Sequence, residues 1–294
     1  MIENTNPDRT VYLNGEWLSE AQAKVSVFDR GFLFADAIYE VTAIADGKLL
    51  DFARHAARLR KSLELLDIAM PVSEEELLAA HKEIARRNKV TNGLVYLQIS
   101  RGAEHRSFVY SNGLKPTIVM FTQERNMLAN PEWKTGINVK SVPDSRWANR
   151  HIKTVQLLYS SLSKVEAKRE GFDDALFVED GFITESASAN FHIITRDGTL
   201  ITRDLSNALL HGITRGSIVD IARRAGLRTE ERQFTLDEAL RASEAFITDS
   251  ISLVMPVVSI DRQTIGSGTP GPVSRKLLEL YLQEKLENGD SVVE

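Results

Sequence analysis

The sequence predicts an α+β protein of two domains, and three observations support this fold class. Its 294 residues, 43% of them hydrophobic, can form one large core or two smaller ones. Segments with helical periodicity alternate with short β-branched and aromatic segments along the chain. A polar, proline-containing stretch, residues 122–136, is typical of a linker. We therefore predict an N-terminal α/β domain over residues 1–121 and a C-terminal α/β domain over residues 137–294, which would contain Lys153.

The first set of elements is predicted to begin with a hairpin. Strand-forming residues flank an Asn-Gly pair in TVYLNGEWL (10–18), which is the strongest short-range hairpin pattern. Residues 51–68 place apolar side chains on one face of a helix. A second helix should follow Ser73, which has capping-box spacing to Glu76. LVYLQIS and TIVMF then predict two strands.

The second set is predicted to contain a strand near residues 137–142 and a helix that starts at Lys153. Strands in DALFV, NFHII and TLIT should follow, separated by Asp-Gly turns. GITRGSIVDIARRAG predicts a helix that Thr214 caps and Gly226 ends. The last apolar pattern, SRKLLELYLQEKLENG, predicts an amphipathic helix that ends near Gly289.

Composition excludes several classes of function. The formal net charge is −5, whereas nucleic-acid-binding domains usually carry a basic surface. The chain has no cysteine, which excludes disulfides and thiolate chemistry. Because no apolar stretch is long enough to span a membrane and no secretory signal is visible, we expect a cytoplasmic protein. No metal-ligand spacing such as H-E-x-x-H occurs, so no metal is predicted.

Two cationic side chains are candidates for chemistry. Lys153 follows Ile152 and opens an apolar segment, so it is either a surface charge or an amine held in a pocket. In RHAARL (54–59), Arg58 lies beside the apolar stripe of its predicted helix. Its planar fork suits a phosphate, although an arginine that extends along the apolar face to reach water would give the same pattern.

Three further stretches could bind charged groups. Gly212 precedes a helix whose free N–H groups and dipole would attract an anion, and Thr214 could add a hydroxyl, but an ordinary capped helix has the same pattern. Glu185, at the end of a predicted strand, could hold a protonated ring nitrogen or lie in a polar turn. DRGFLFADAIYEV places charged residues, including Arg30, among apolar ones, and buried charges are costly unless they are paired.

The order of these stretches is more informative than any one of them. DRGFLFADAIYEV, HAARL, Lys153 after SRW, ITESASANF and HGITRGSI together resemble the class IV aminotransferases, which are the fold type IV pyridoxal-phosphate enzymes. The resemblance covers residues 10–285, nearly the whole chain. It implies the two-domain fold type IV architecture and bound pyridoxal 5′-phosphate. It also implies a homodimer in which the loop of residues 101–110 reaches into the active site of the partner subunit.

The resemblance implies a role for each matching position. Lys153 matches the lysine that forms the Schiff base and then moves the proton. Glu185 matches the carboxylate that keeps the pyridine nitrogen protonated, and Arg58 matches the phosphate-binding arginine. The other cofactor-binding positions that it implies are Ser188, Ala189, Asn190, Leu210, Gly212, Ile213, Thr214 and Ser250.

Within this family the motifs look more like those of the D-amino-acid aminotransferases. YEV (39–41) and SRWANRHIK (145–153) are similar to those enzymes, whereas branched-chain enzymes typically read F-E-G at the first place. D-amino-acid enzymes typically carry Arg-x-His in the loop that binds the substrate carboxylate, and this chain carries Arg-Ser-Phe there. The substrate-binding residues implied are Tyr39, Arg106, Phe108 and Arg30.

The predicted function is therefore transfer of an amino group between a D-amino acid, of the D-alanine or D-glutamate type, and a 2-keto acid by a ping-pong mechanism. The alternatives are a transaminase for (R)-amines or branched-chain amino acids and an enzyme similar to aminodeoxychorismate lyase. A non-enzymatic scaffold is disfavoured because Lys153, Glu185 and Arg58 are all present. The predicted partners are small amino and keto acids, with no nucleic acid and no membrane.

Overall fold

The structure, a computed structural model, describes residues 8–293, which divide into two compact units. The first unit contains residues 8–128, Ile152–Gln156 and residues 288–293. The second contains Ala129–His151 and Leu157–Glu287. Each unit combines helices with a sheet, which confirms the α+β fold class.

Short strands and helices follow one another along both units. The strands are β1 (Thr10–Leu13), β2 (Glu16–Ser19), β3 (Ala37–Ala45), β4 (Lys48–Leu49), β5 (Gly93–Ser100), β6 (Thr117–Glu124), β7 (Ile137–Pro143), β8 (Asp174–Glu179), β9 (Phe182–Ser186), β10 (Asn190–Ile194), β11 (Leu200–Thr202), β12 (Thr229–Glu231), β13 (Glu244–Asp249), β14 (Leu253–Ile260), β15 (Gln263–Thr264) and β16 (Asp290–Ser291). The helices are α1 (Arg30–Phe34), α2 (Phe52–Leu65), α3 (Glu74–Arg87), α4 (Glu132–Thr135), α5 (Leu158–Arg169), α6 (Ile213–Arg224), α7 (Leu236–Leu240) and α8 (Pro272–Asn288).

The sheet of the first unit has the strand order β16-β4-β3-β5-β6-β1-β2. β1 and β2 form the predicted hairpin, and its turn residues Asn14 and Gly15 have φ values of 52° and 96°. Both residue types adopt positive φ readily, which explains the turn. α3 begins with the predicted capping box between Ser73 and Glu76. α2 buries Leu59 and packs on β3, the strand that carries the first candidate residues.

The prediction that a helix starts at Lys153 is wrong. α5 begins at Leu158, and no side chain caps it, so the sequence holds no local signal for its start. Lys153 instead lies in a short non-helical segment, Ile152–Gln156, that is hydrogen-bonded to β3. Its carbonyl accepts from the amide of Tyr39 at 3.0 Å, and Val155 N donates to Ala37 O at 3.1 Å. Ile152–Gln156, which includes Lys153, belongs to the first unit, whereas α5 belongs to the second.

The unit boundaries also differ from the predicted linker over residues 122–136. β6 continues to Glu124, which pairs with Gly93 of β5, because the long antiparallel ladder between these strands extends past the polar residues. α4 then occupies part of the predicted linker. Polarity alone therefore does not mark the end of a strand whose partner supplies backbone hydrogen bonds.

The sheet of the second unit has the strand order β12-β11-β10-β13-β14-β7-β8-β9, and β15 pairs with β14. Phe191, Ile193 and Ile247 are among the buried apolar residues of its core. α6 begins after Gly212, and no side chain caps it, so the prediction that Thr214 caps this helix is wrong. Among residues 8–293, none of the helices combines the length and apolar character that a membrane crossing requires.

Candidate active site

The amine of Lys153 lies against an aromatic ring. Its Nζ lies 4.1 Å from the centroid of the Tyr39 ring, and this side chain makes no hydrogen bond or ion pair to any of residues 8–293. The ring of Tyr39 is itself stacked on Tyr96, with 5.8 Å between the centroids. A half-buried amine on a fixed aromatic face, with no carboxylate to hold it as an ion pair, is available for covalent chemistry.

Arg58 is oriented by a buried carboxylate on β3. Its Nε donates to Glu40 Oε1 at 2.8 Å and its Nη2 donates to Glu40 Oε2 at 2.7 Å, a bidentate pair. His55 Nδ1 lies 2.8 Å from the same Oε2. Burial raises the pKa of Glu40, but Arg58 and His55 outweigh burial and hold that pKa well below its usual range. Glu40 therefore stays ionised and fixes the direction of the guanidinium.

Glu185 lies on β9 and is buried, with both carboxylate oxygens hydrogen-bonded. Oε1 accepts from Arg146 Nη1 at 2.6 Å, and Oε2 accepts from the backbone amide of Leu210 at 3.1 Å and from Asn190 Nδ2 at 3.2 Å. Burial raises the pKa of Glu185, and Arg146 offsets only part of that increase. A buried carboxylate of this kind is stabilised strongly by a further cation.

Sequence reasoning did not identify Arg146. This arginine forms a bidentate pair with Asp144, at 2.9 and 2.7 Å, and also binds Glu185. Its Cζ lies 4.3 Å from the ring centroid of Phe177. The available signal was the place of Arg146 in SRWANRHIK, the stretch that leads to Lys153. We infer that Arg146 orients the Glu185 carboxylate.

The start of α6 presents backbone N–H groups that no side chain of the described residues caps. The first N–H groups of a helix have no partner within the helix, and here no side chain caps them. A Cβ atom at Gly212 would collide with Asn190 Oδ1, so this position requires glycine. Asn190 Nδ2 also donates to Leu210 O at 2.8 Å, which joins the helix start to the network of Glu185. Thr214 is buried in the first turn.

The remaining predicted cofactor-binding residues lie on turns and at the helix start of the second unit. Ser188 is exposed and Ala189 is buried in the turn before β10, Ile213 is the first residue of α6, and Ser250 directly follows β13.

The predicted substrate-binding residues other than Tyr39 lie in or beside one loop of the first unit. Arg106 and Phe108 are exposed there. Arg30 is buried, and its guanidinium donates to Asp36, to Glu104 and to the carbonyls of Ser107 and Phe108. These bonds use four of the five N–H donors of an arginine. The guanidinium of Arg30 is therefore engaged mainly within the protein, whereas the prediction was that it binds the substrate. Arg30 holds the loop.

The family follows from a comparison with known proteins. The family model described as "Amino-transferase class IV" matches residues 37–260, well over half of the chain. This chain is a class IV aminotransferase. Among its relatives, the D-alanine aminotransferase of Bacillus licheniformis is 35% identical over 91% of this chain and 94% of its own. The corresponding protein of Staphylococcus haemolyticus is 33% identical over 92% of this chain and 95% of its own.

Solved structures give the same fold. The branched-chain amino acid aminotransferase of Escherichia coli matches with a TM-score of 0.89 at 22% identity, over 98% of this chain and 100% of its own. The branched-chain amino acid aminotransferase of T.th., solved with pyridoxamine 5′-phosphate, matches with a TM-score of 0.86 at 26% identity over 93% of each chain. The fold type IV architecture is therefore confirmed.

As a class IV aminotransferase, the protein depends on pyridoxal phosphate, and the residues present fit that group. The first unit contains the Lys153 amine, which pairs with no acidic side chain of residues 8–293, and a fixed guanidinium, and these suit an aldehyde and a phosphate. The second contains a buried carboxylate and an uncapped helix start, which suit a protonated ring nitrogen and a phosphate. Among residues 8–293 no group of acidic and histidine side chains has the arrangement of a metal site.

Proposed function

We propose that this class IV aminotransferase transfers the amino group of a D-amino acid, of the D-alanine or D-glutamate type, to a 2-keto acid by a ping-pong mechanism. The observation that carries the proposal is the half-buried Lys153 amine, which lies against the Tyr39 ring and has no acidic partner within the described part of the chain. The D-alanine aminotransferases that match over more than nine-tenths of both chains support the choice of substrate.

Lys153 has two successive tasks in this mechanism. Its Nζ would hold the cofactor until an amino donor displaces the lysine. The released amine would then take the proton from Cα of the substrate and move it to the opposite end of the reacting system. Bound pyridoxal phosphate supplies the electron sink that makes this Cα proton acidic. The backbone of Lys153, which is hydrogen-bonded to β3, keeps the amine in a constant position through both tasks.

Other residues hold the charged ends of the cofactor. We propose that Glu185 keeps the ring nitrogen protonated, because a buried carboxylate that accepts three hydrogen bonds gains most from a cationic partner. Arg58, the first amides of α6, Thr214 and Ser250 bind the phosphate. Tyr39 lies beside the amine of Lys153 and contacts the reacting group.

Glu185→Gln should slow each half-reaction at least about tenfold. A hydrogen bond to a charged group contributes roughly 1.5–3 kcal/mol, and about 1.4 kcal/mol changes a rate tenfold. The amide also loses the negative charge that stabilises a protonated ring nitrogen. Single-turnover absorbance changes with D-alanine and with pyruvate measure the two half-reactions separately.

Glu179→Gln is a matched control, since Glu179 lies on the neighbouring strand β8 and pairs with Arg150. It should leave both half-reactions within about twofold of the parent enzyme, as expected for a change outside the cofactor site. Normal turnover of Glu185→Gln with the cofactor still bound would contradict the proposed role of this carboxylate.

A substrate panel tests the proposed reaction. We expect kcat/KM for D-alanine and D-glutamate to exceed the values for L-leucine and (R)-1-phenylethylamine at least about tenfold, with 2-oxoglutarate or pyruvate as acceptor. Preference for L-leucine would indicate a branched-chain enzyme, and preference for the amine would indicate an (R)-amine transaminase. Release of pyruvate from aminodeoxychorismate without an acceptor would indicate a lyase.

We further propose a cytoplasmic homodimer in which the loop of residues 101–110 reaches into the active site of the partner subunit. The exposed apolar side chains of Leu158, Leu162 and Val165 support an assembly, because they form a stripe on one face of α5. Sedimentation of the purified protein at micromolar concentration should give the mass of two chains, and a single-chain mass would contradict the dimer.

A further inference from the structure

The guanidinium of Arg106 is held by two aromatic rings. Its Cζ lies 5.4 Å from the ring centroid of Phe34 and 5.5 Å from that of Phe108. The two rings are themselves in contact, with centroids 5.5 Å apart and a tilt of 58°. Arg106 makes no hydrogen bond or ion pair to any of residues 8–293. Ring faces therefore orient this cation and leave its N–H donors unused.

The ring of Phe34 and the loop that carries Arg106 are both fixed by Arg30. Arg30 Cζ lies 4.6 Å from the Phe34 centroid. The same guanidinium donates to Ser107 O at 2.7 Å and is paired with Asp36 at 2.8 Å. α1 ends at Phe34, so the ring extends from an element whose first residue is Arg30. The buried side chain of Arg30 thus contacts both the ring of Phe34 and the loop that carries Arg106.

We propose that Phe34 and Phe108 are positioning residues that orient Arg106 toward the carboxylate of the substrate. This inference rests on the proposed function, in which Arg106 binds that carboxylate. A ring attracts a guanidinium through its face, whereas a carboxylate binds the N–H edge of the fork, so both can bind Arg106 at the same time. Phe108 cannot donate a hydrogen bond to the substrate as histidine would. Its contribution is to orient the guanidinium of Arg106.

This arrangement has a distinct kinetic consequence. Amino donors and keto-acid acceptors both carry a carboxylate. Loss of the ring of Phe34 or Phe108 should therefore raise KM for both substrates. The proton transfer at Cα depends on Lys153, so kcat should change little. A carboxylate that lacks an amino group, such as propionate, should bind more weakly as an inhibitor. Cofactor binding should be unaffected, because Phe34 is not one of the residues that we assign to cofactor binding.

The test is Phe34→Leu in the full-length holoenzyme. We expect KM for D-alanine and pyruvate, and the inhibition constant of propionate, to rise roughly three- to tenfold, with kcat within about twofold. Phe34→Tyr keeps a ring and should restore all three values. Phe32→Leu is the matched control, because Phe32 lies on the same helix, is 75% exposed and makes no ring contact among residues 8–293, and it should change none of them.

Two outcomes would overturn the inference. In the first, Phe34→Leu leaves KM and the propionate constant unchanged. In the second, Phe34→Leu lowers kcat and cofactor affinity, and Phe34→Tyr does not restore them. This result would show that Phe34 only supports the fold of α1. Arg106→Ala separates these results from a failure of the proposed function. If Arg106→Ala weakens carboxylate binding and Phe34→Leu does not, only the positioning role fails. If Arg106→Ala has no effect, the carboxylate-binding assignment itself fails.

Discussion

Lys153→Ala should reduce amino-group transfer by roughly 10²- to 10⁴-fold, the contribution typical of a positioned general acid–base group. The variant loses the covalent link to the cofactor and the amine that moves the Cα proton. Two measurements check this: steady-state transfer from D-alanine to 2-oxoglutarate, and borohydride reduction followed by peptide mapping. In the parent enzyme the reduced cofactor should be found on the peptide of residues 151–167.

Lys164→Ala is the matched control for this prediction. Lys164 lies on α5 in the same peptide, but its side chain is 42% exposed and pairs with Asp174 at 3.1 Å. Its replacement should leave the borohydride adduct in place and the rate within about twofold. A parent adduct on any lysine other than Lys153 would overturn the assignment of the active site.

The position of Lys153 shows which features a sequence can specify. The order of the motifs around it made this residue the candidate lysine, because each motif lies at a fixed place along the chain. Its backbone conformation could not be predicted in the same way. The segment of Lys153 is hydrogen-bonded to β3, which is distant in sequence, and an apolar periodicity contains no information about such a partner.

The same distinction applies to side-chain contacts elsewhere in the chain. The capping box between Ser73 and Glu76 was predictable because both residues and their backbone partners lie within one helical turn. Glu185 could be placed at the end of a strand from its immediate neighbours. Its contact with Arg146 spans 39 positions and forms only when the two segments fold against each other. Sequence-local reasoning therefore identifies the groups but not the contacts that orient them.

Arg30 illustrates how burial changes the interpretation of a charge. Its place in DRGFLFADAIYEV indicated a charged group among apolar residues, and such a group needs partners. The structure supplies Asp36, Glu104 and loop carbonyls as those partners, whereas the exposed Arg106 makes no ion pair with any of residues 8–293. A ligand-binding arginine keeps donors available, and a structural arginine uses them within the protein.

Arg106→Ala should therefore lower kcat/KM for D-alanine or D-glutamate roughly 10- to 150-fold. The guanidinium fork can donate to both oxygens of the substrate carboxylate, and each charge-assisted bond contributes roughly 1.5–3 kcal/mol in a partly desolvated site. Because Phe108 provides no donor, the loss is not shared with a neighbouring histidine. An amine without a carboxylate, (R)-1-phenylethylamine, should lose little in the single-turnover reaction followed by cofactor absorbance.

Arg125→Ala is the appropriate control, since Arg125 is an exposed arginine of the first unit and its side chain makes no ion pair among residues 8–293. Arg125→Ala changes the net charge by the same amount as Arg106→Ala. Any general effect of charge on the attraction of anionic substrates therefore appears in both variants. A loss confined to Arg106→Ala and to carboxylate substrates is the expected result. If amino acids and amines lose activity together, Arg106 shapes the loop and does not bind the carboxylate. If neither loses activity, a different cation binds the substrate carboxylate.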